Sequence, residues 1–380
     1  MLRRLLPVAL ATTTALLLAS AAPASAHSPG VRLLGEHLVP FAQDYQGTTV
    51  GGLSGIDYDP KTGTYVLISD DRSDRQPARF YTAKIDITED ALRGVEITGT
   101  KPLLRADGST FPAYGKDPAR STDPEDIRID PWTGDYWWTS EGDRTTGDKP
   151  VLVDPTVGAV RKDGTFVRQL PLAPNLKMSA QEVGPRRNAV LEGLTFAAGG
   201  SLVVSSMEGP LIQDGVDPTL TDGALSRITV QDRFAGRVLS QYAYPLDKVH
   251  AAPNPAGGFF VNGVDAILAV NQFDPTKFLV MERSFSTGAT PANSIRVYEV
   301  DTSGATDVKR LGSLKDDRKL KPVRKRLLVD LASMKLSTVD NVEGMSWGPR
   351  LPTGERTLVL VSDDNFAKNQ VTQVIALAVR

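Results

Sequence analysis

Residues Ser121–Arg144 read STDPEDIRIDPWTGDYWWTSEGDR, and the order of residue types in this stretch decides the fold. The central DPWTGD is built from residues that favour tight reversals, while IRI and YWWTS on either side are rich in β-branched and aromatic residues. The stretch predicts a β-hairpin. In an antiparallel hairpin, residues equidistant from the turn face each other, and Glu125 and Glu141 are equidistant from Thr133. They are expected as direct cross-strand neighbours. Like charges so placed repel, and a hairpin that holds them calls for a cation, a proton or an arginine nearby.

The same pattern recurs in LSGIDYDPKTGTYVLISDD from Leu53, LEGLTFAAGGSLVVSSMEG from Leu191, VDAILAVNQFDPTKFLVMERS from Val264 and VEGMSWGPRLPTGERTLVLVSDDN from Val342. The leading positions are Ser54, Glu125, Glu192, Asp265 and Glu343, spaced by 71, 67, 73 and 78 residues. The trailing positions are Asp70, Glu141, Glu208, Glu282 and Asp363, following their partners by 16, 16, 16, 17 and 20 residues. Insertions therefore fall in the turns. Nine of these ten positions are carboxylates, Ser54 being the exception.

Third strands follow each hairpin, as in RFYTAKID, ALSRITVQD, NSIRVYEVD and VTQVIALAV, and fourth strands in VEITGTKPLL and RVLSQYAYPL. A repeat of this length holds four strands and their loops, the unit of a propeller blade. The fold expected is all-β, a β-propeller of five four-stranded blades, or six if a degenerate repeat lies after Lys84 or Val300. The last blade lacks an outer strand, and VRLLGEHLVPF near the N-terminus is free to supply it. Such closure removes free sheet edges.

Residues 1–26, with Arg3 and Arg4 ahead of an apolar run and Ala24-Ser25-Ala26 at its end, read as a secretory signal peptide. A single propeller domain is then expected over 27–380, in a secreted, extracellular protein with no membrane span. Without the first 26 residues the chain carries 41 basic and 45 acidic side chains, which gives no basis for binding nucleic acid. Cysteine is absent, which excludes disulfides, thiolate nucleophiles and zinc-thiolate sites. Stability must come from a core, and 33 Gly, 26 Pro and 41% hydrophobic residues suit many short strands and turns.

In a propeller the first strand of each blade lines the central channel, so the ten positions form a ring at one mouth. Taken singly, each acid is an ordinary turn or capping residue. Repetition of the same costly pairing in four of the five hairpins favours a bound hard cation, Ca²⁺, on Asp70, Glu125, Glu141, Glu192, Glu208, Asp265, Glu282, Glu343 and Asp363. Arg72, Arg144 and Arg283 follow the trailing acids closely and are candidates for binding an anionic substrate.

The LEGL and VEGM openings and the ISDD and VSDD endings resemble the secreted phytase-like propellers described as having esterase-like activity of the phytase family, over roughly Gly51 to Val379. The resemblance implies a β-propeller and a hydrolase of phosphoesters or carboxylesters. Phytase propellers proper carry six blades against five repeats here, so no catalytic residue is carried over. The expected activity is that of a metal-dependent hydrolase, monomeric, acting on a small-molecule ester or phosphoester. The alternative is a non-catalytic secreted propeller whose acidic mouth binds a ligand or protein partner.

Two other features carry less. Gly344-Met345-Ser346-Trp347-Gly348 fits the G-x-S-x-G pattern of serine hydrolases but lies in a repeated strand, and His27, His37 and His250 stand at no repeat position. It reads as a chance match. RKLKPVRKR, Arg318 to Arg326, reads as a solvated loop, with contact to an anionic polymer as the sharper reading.

Overall fold

The turn of the opening hairpin forms because Asp130 can hold it. Its Oδ1 accepts the amides of Trp132 at 2.8 Å and Thr133 at 3.3 Å, and Gly134 takes φ +78°, where a side chain would be strained. The computed structural model describes residues 30–380, so the expected signal peptide lies outside the described residues. Four-stranded antiparallel sheets repeat five times around a common axis. There is no sixth blade among the described residues.

Blade 1 runs from Leu53–Asp59 outward to Leu92–Pro102, and blade 2 from Pro124–Ile129 to Phe166–Gln169. Blade 3 runs from Leu191–Ala197 to Val238–Leu246, and blade 4 from Phe260–Ala269 to Arg324–Asp330. Blade 5 takes Val342–Arg350, Arg356–Ser362 and Thr372–Val379 from the C-terminus and Val31–Val39 from the N-terminus. The N-terminal strand closes the ring, paired antiparallel from Val31 opposite Val379 to Val39 opposite Thr372. The basic block RKLKPVRKR is a loop only in its first half, because Arg324–Asp330 forms the outer strand of blade 4. No helix among the described residues is long and apolar enough to cross a membrane.

Apolar side chains alternate to both faces of each sheet, so a separate core fills each space between neighbouring blades. Ile68, Phe80 and Trp138 pack between blades 1 and 2, Trp137, Leu194 and Val203 between blades 2 and 3. Ile228, Ile267 and Phe278 join blades 3 and 4, and Met281, Met345 and Leu360 join blades 4 and 5. Leu53, Tyr81 and Val361 complete the circle between blades 5 and 1.

Every innermost hairpin slips register at its leading position. In blade 2 the pairs Ile129–Tyr136, Arg128–Trp137 and Ile127–Trp138 are followed by Pro124–Ser140, so one extra residue bulges from the inner strand at Glu125-Asp126. Equivalent bulges fall at Ser54, Glu192-Gly193, Asp265 and Glu343. The expectation that Glu125 and Glu141 are direct cross-strand partners is corrected by this. Glu141 instead donates its amide to Asp123 O at 3.1 Å, while Glu125 is turned toward the axis by the bulge. The bulges also bring neighbouring backbones together: a Cβ on Gly55 would lie 2.7 Å from Asp126 Cα, and one on Gly193 2.5 Å from Ile267 N.

The channel is sealed midway by one side chain. Arg128 donates to Ile56 O at 2.9 Å, Met345 O at 2.8 Å, Leu194 O at 2.5 Å and Ile267 O at 3.4 Å, one carbonyl from each of the other blades. Asp126 balances its charge at 2.8 Å.

Candidate functional site: an acidic channel mouth

On the side of the seal where the bulges lie, the channel widens into a cavity of about 1000 Å³. Its wall carries Asp70, Glu125, Glu141, Glu192, Glu208, Glu343 and Asp363, together with Asp123. The acids do not share one environment. Arg283 reaches in from blade 4 and lies 2.9 Å from Asp265, 3.4 Å from Glu343 and 3.7 Å from Glu208. That half of the ring has its cation built in.

The other half carries far less positive charge. Asp123, Glu125 and Glu141 place carboxylate oxygens within 4.8 Å of one another, and so do Glu141, Glu192 and Glu208. Glu141 belongs to both groups. Among the described residues, arginine meets them at two points: Arg283 at Glu208, and Arg72, whose Nε stands 3.2 Å from Asp123 while its guanidinium stacks on Tyr114 at 4.2 Å. These buried acidic groups could hold a metal ion, and their donors are carboxylate oxygens throughout, the chemistry that suits hard cations. Behind Arg283, Asp265 keeps one buried oxygen, Oδ2, with no partner.

Burial is the largest influence on every acid of the ring, and it raises their pKa values. For Glu125 the charges of Glu192, Asp123 and Glu141 add to it; for Glu192 those of Glu141 and Glu208 do. Glu141 is raised the same way, burial first and then Glu208, and Asp70 by burial and then Asp363. Glu208 is pushed up to about 7 by burial, against the opposing pull of Arg283, and Asp123 to about 7 by burial, against Arg72. Arg283 itself is raised, because Asp265, Glu343 and Glu208 together outweigh the desolvation of its guanidinium.

Two sequence assignments are corrected. Glu282 is not in the ring: it pairs with Val264 inside the strand, and Arg283 takes the position that Asp70, Glu141, Glu208 and Asp363 hold in the other blades. Its carboxylate accepts from Tyr244 Oη at 2.7 Å and Asn262 Nδ2 at 2.9 Å, and meets Lys325 Nζ at 2.5 Å. Arg144 points away from the cavity, donating to Ser179 O at 2.8 Å and pairing with Glu182 at 3.1 Å. Arg72 and Arg283, by contrast, both line the cavity.

Sequence reasoning missed three contributors. Asp123 precedes the repeated leading acid by two residues, and the fold places its carboxylate on the cavity wall beside Glu125 and Glu141. Arg186 and Arg187 enter the wall from the loop before blade 3, paired with Asp217 and Asp143 at 3.0 Å each. Ser346 is buried in the inner strand opposite Val359 and donates to Asp57 at 2.9 Å, and among the described residues no histidine is hydrogen-bonded to it. His250 is engaged elsewhere, by Ser284 and Pro291 O.

Fold and mouth together define a five-bladed propeller with a carboxylate-lined channel opening. A family model described as "Phytase-like: Esterase-like activity of phytase" matches residues 48–366, and the chain belongs to that family. No curated protein matches the chain. Among solved structures, a thermostable family-43 glycoside hydrolase is similar at 10% identity and a TM-score of 0.46, over 87% of this chain and 90% of that one. The periplasmic gluconolactonase PpgL of Pseudomonas aeruginosa is similar at 12% identity and a TM-score of 0.35, over 87% and 86% of the two chains.

Proposed function

We propose that this protein is a secreted hydrolase of small phosphoesters or carboxylesters that works with Ca²⁺ held at the acidic mouth. The observation that carries the reading is the pair of carboxylate groups sharing Glu141, which Arg283 reaches only at Glu208. Asp123, Glu125, Glu141, Glu192 and Glu208 would hold the cation. When bound, it supplies a Lewis acid toward a phosphoryl or carbonyl oxygen and a more acidic water.

The chain's own residues account for the rest. Arg283, fixed by three carboxylates through Nε and Nη2, presents its remaining nitrogen, Nη1, at a position that does not depend on substrate, and it can donate from there to an anionic oxygen. Arg72, braced on Tyr114, does the same from blade 1. Phe259, 66% exposed on the cavity wall, offers an apolar face to the remainder of a substrate. Membership of the family supports hydrolysis. Secretion rests on the character of residues 1–26 alone.

The test is turnover of a phosphomonoester and a carboxylester by purified protein, with and without a chelator. Activity that disappears with chelator, returns with Ca²⁺ and is lost in Glu192→Gln supports the proposal. Chelator-resistant activity lost in Ser346→Ala would overturn it in favour of serine chemistry. Ca²⁺ binding without turnover of either ester would leave a ligand-binding propeller.

A further inference from the structure

At the opposite end of the channel, beyond Arg128, the turns of the inner hairpins surround a second cavity of about 1030 Å³. Its charges are arranged in the reverse sense. Arg350 and Arg356 are direct cross-strand partners in blade 5, and both line this cavity. Like charges so opposed are destabilising unless something lies between or beside them. Neither arginine has a carboxylate within ion-pair distance among the described residues, and neither does Lys61, which joins them from the turn of blade 1.

The acids on the same wall are already committed. Asp57 accepts from Ser346 Oγ at 2.9 Å and Ile129 N at 2.8 Å; Asp59 accepts from Lys61 N at 2.9 Å and pairs with Lys162 at 3.3 Å. Asp130 is paired with Arg233 and accepts from Trp137 Nε1 at 3.2 Å. The cavity therefore keeps an excess of positive charge.

Arg356 is held ready for a ligand. Its Cζ lies over the Trp347 ring, 3.5 Å from the centroid, Trp347 is fixed by its own bond to Ala269 O at 2.9 Å, and one Arg356 nitrogen, Nη1, donates to Val270 O. Nε and Nη2 have no acceptor among the described residues, which leaves a two-pronged donor edge. Burial, and then the neighbouring Arg350, pull the Arg356 pKa down to about 10, as befits a cation missing its counter-ion.

We infer that the turn-side cavity is a binding site for a phosphate- or sulfate-type oxyanion, held by Arg356 and Arg350 with Lys61 at its rim. The anion is either free or carried on a small organic body, for which the exposed ring of Phe273 provides an apolar wall. This site needs no metal and is separated from the acidic mouth by the Arg128 seal, so it stands or falls independently of the proposed hydrolysis.

The experiment is calorimetric titration of the full-length protein with inorganic phosphate, sulfate and phenyl phosphate, in chelator. Saturable binding is expected, weakened roughly tenfold or more in Arg350→Gln and in Arg356→Gln, and unchanged in Glu192→Gln. Equal affinity for phosphate and phenyl phosphate marks a free anion, tighter binding of phenyl phosphate an ester; either supports the site. Melting gives a second readout that survives a poorly folding Arg356 variant. Arg350→Gln should raise the melting temperature in anion-free buffer, by removing the opposed charge, and reduce the stabilisation that a fixed phosphate concentration gives the parent. No saturable binding, binding lost in Glu192→Gln, or an Arg350→Gln variant that keeps its phosphate response undiminished would each overturn the inference.

Discussion

A single residue, Arg128, ties the five blades together at the axis, and its energetics differ from those of a surface ion pair. Its guanidinium is fully buried, its charge is met by Asp126, and its other donors satisfy carbonyls of four separate strands. Truncating one member of such a network leaves the partners unpaired in a dry interior, which costs far more than the net worth of the bonds. Arg128→Met should lower unfolding free energy by roughly 3–5 kcal/mol, measured by denaturant titration. A loss below about 1 kcal/mol would mean that water replaces the guanidinium. The sequence gives no sign of this role. Arg128 stands where Asp57, Thr195, Leu268 and Ser346 stand in the other blades, so the repeat has no common residue type there. The leading acids were legible because four of five repeats share them.

At the scale of the hairpin, residue types and strand order were readable, while register was not. β-Branched and aromatic runs bounded by Asp, Gly and Pro mark the strands, and the N-terminal strand was identifiable as the missing edge of blade 5. Counting outward from a turn, however, assumes an unbroken ladder, and every inner hairpin contains a bulge. Where both ends of the hairpin carry acids the error is harmless, since leading and trailing acids still converge on the mouth. In blade 4 it changes the chemistry, because a one-residue slip exchanges Glu282 for Arg283 and turns every side chain to the other face. The correction separates two glutamates that look alike in sequence. Glu282→Gln disrupts a buried pair with Lys325 and should cost about 1–3 kcal/mol of stability, yet leave any Ca²⁺-induced rise in melting temperature unchanged. Glu192→Gln should do the opposite, shrinking the Ca²⁺ response. Equal loss of the response in both variants would restore Glu282 to the ring.

Across the whole molecule, closure of the propeller concentrates charge of opposite sign at its two ends, with Arg128 between them. The acidic end is where folding works against electrostatics, and pH exposes the conflict. Glu208 and Asp123 are raised by burial from ordinary values of 4.5 and 3.8 to about 7, so the native state holds these protons more tightly than the unfolded chain does. Their contribution to stability is complete below about pH 4 and is lost as pH rises through about 7. A bound cation reverses the sign, since it requires the ionised carboxylates and is favoured as protons leave. Melting temperature in chelator should therefore fall between pH 4.5 and 7.5, and the increment given by saturating Ca²⁺ should grow across the same interval. At a hundredfold excess over Kd that increment corresponds to about 2.7 kcal/mol. Because the acids interact, the transition belongs to the ring and should be broad, with no step assignable to one glutamate. Glu192→Gln removes one member and should both raise the melting temperature in chelator near pH 7.5 and reduce the Ca²⁺ increment. An increment independent of pH would show that the cation binds away from these carboxylates, and that the ring is held by shared protons and Arg283 alone.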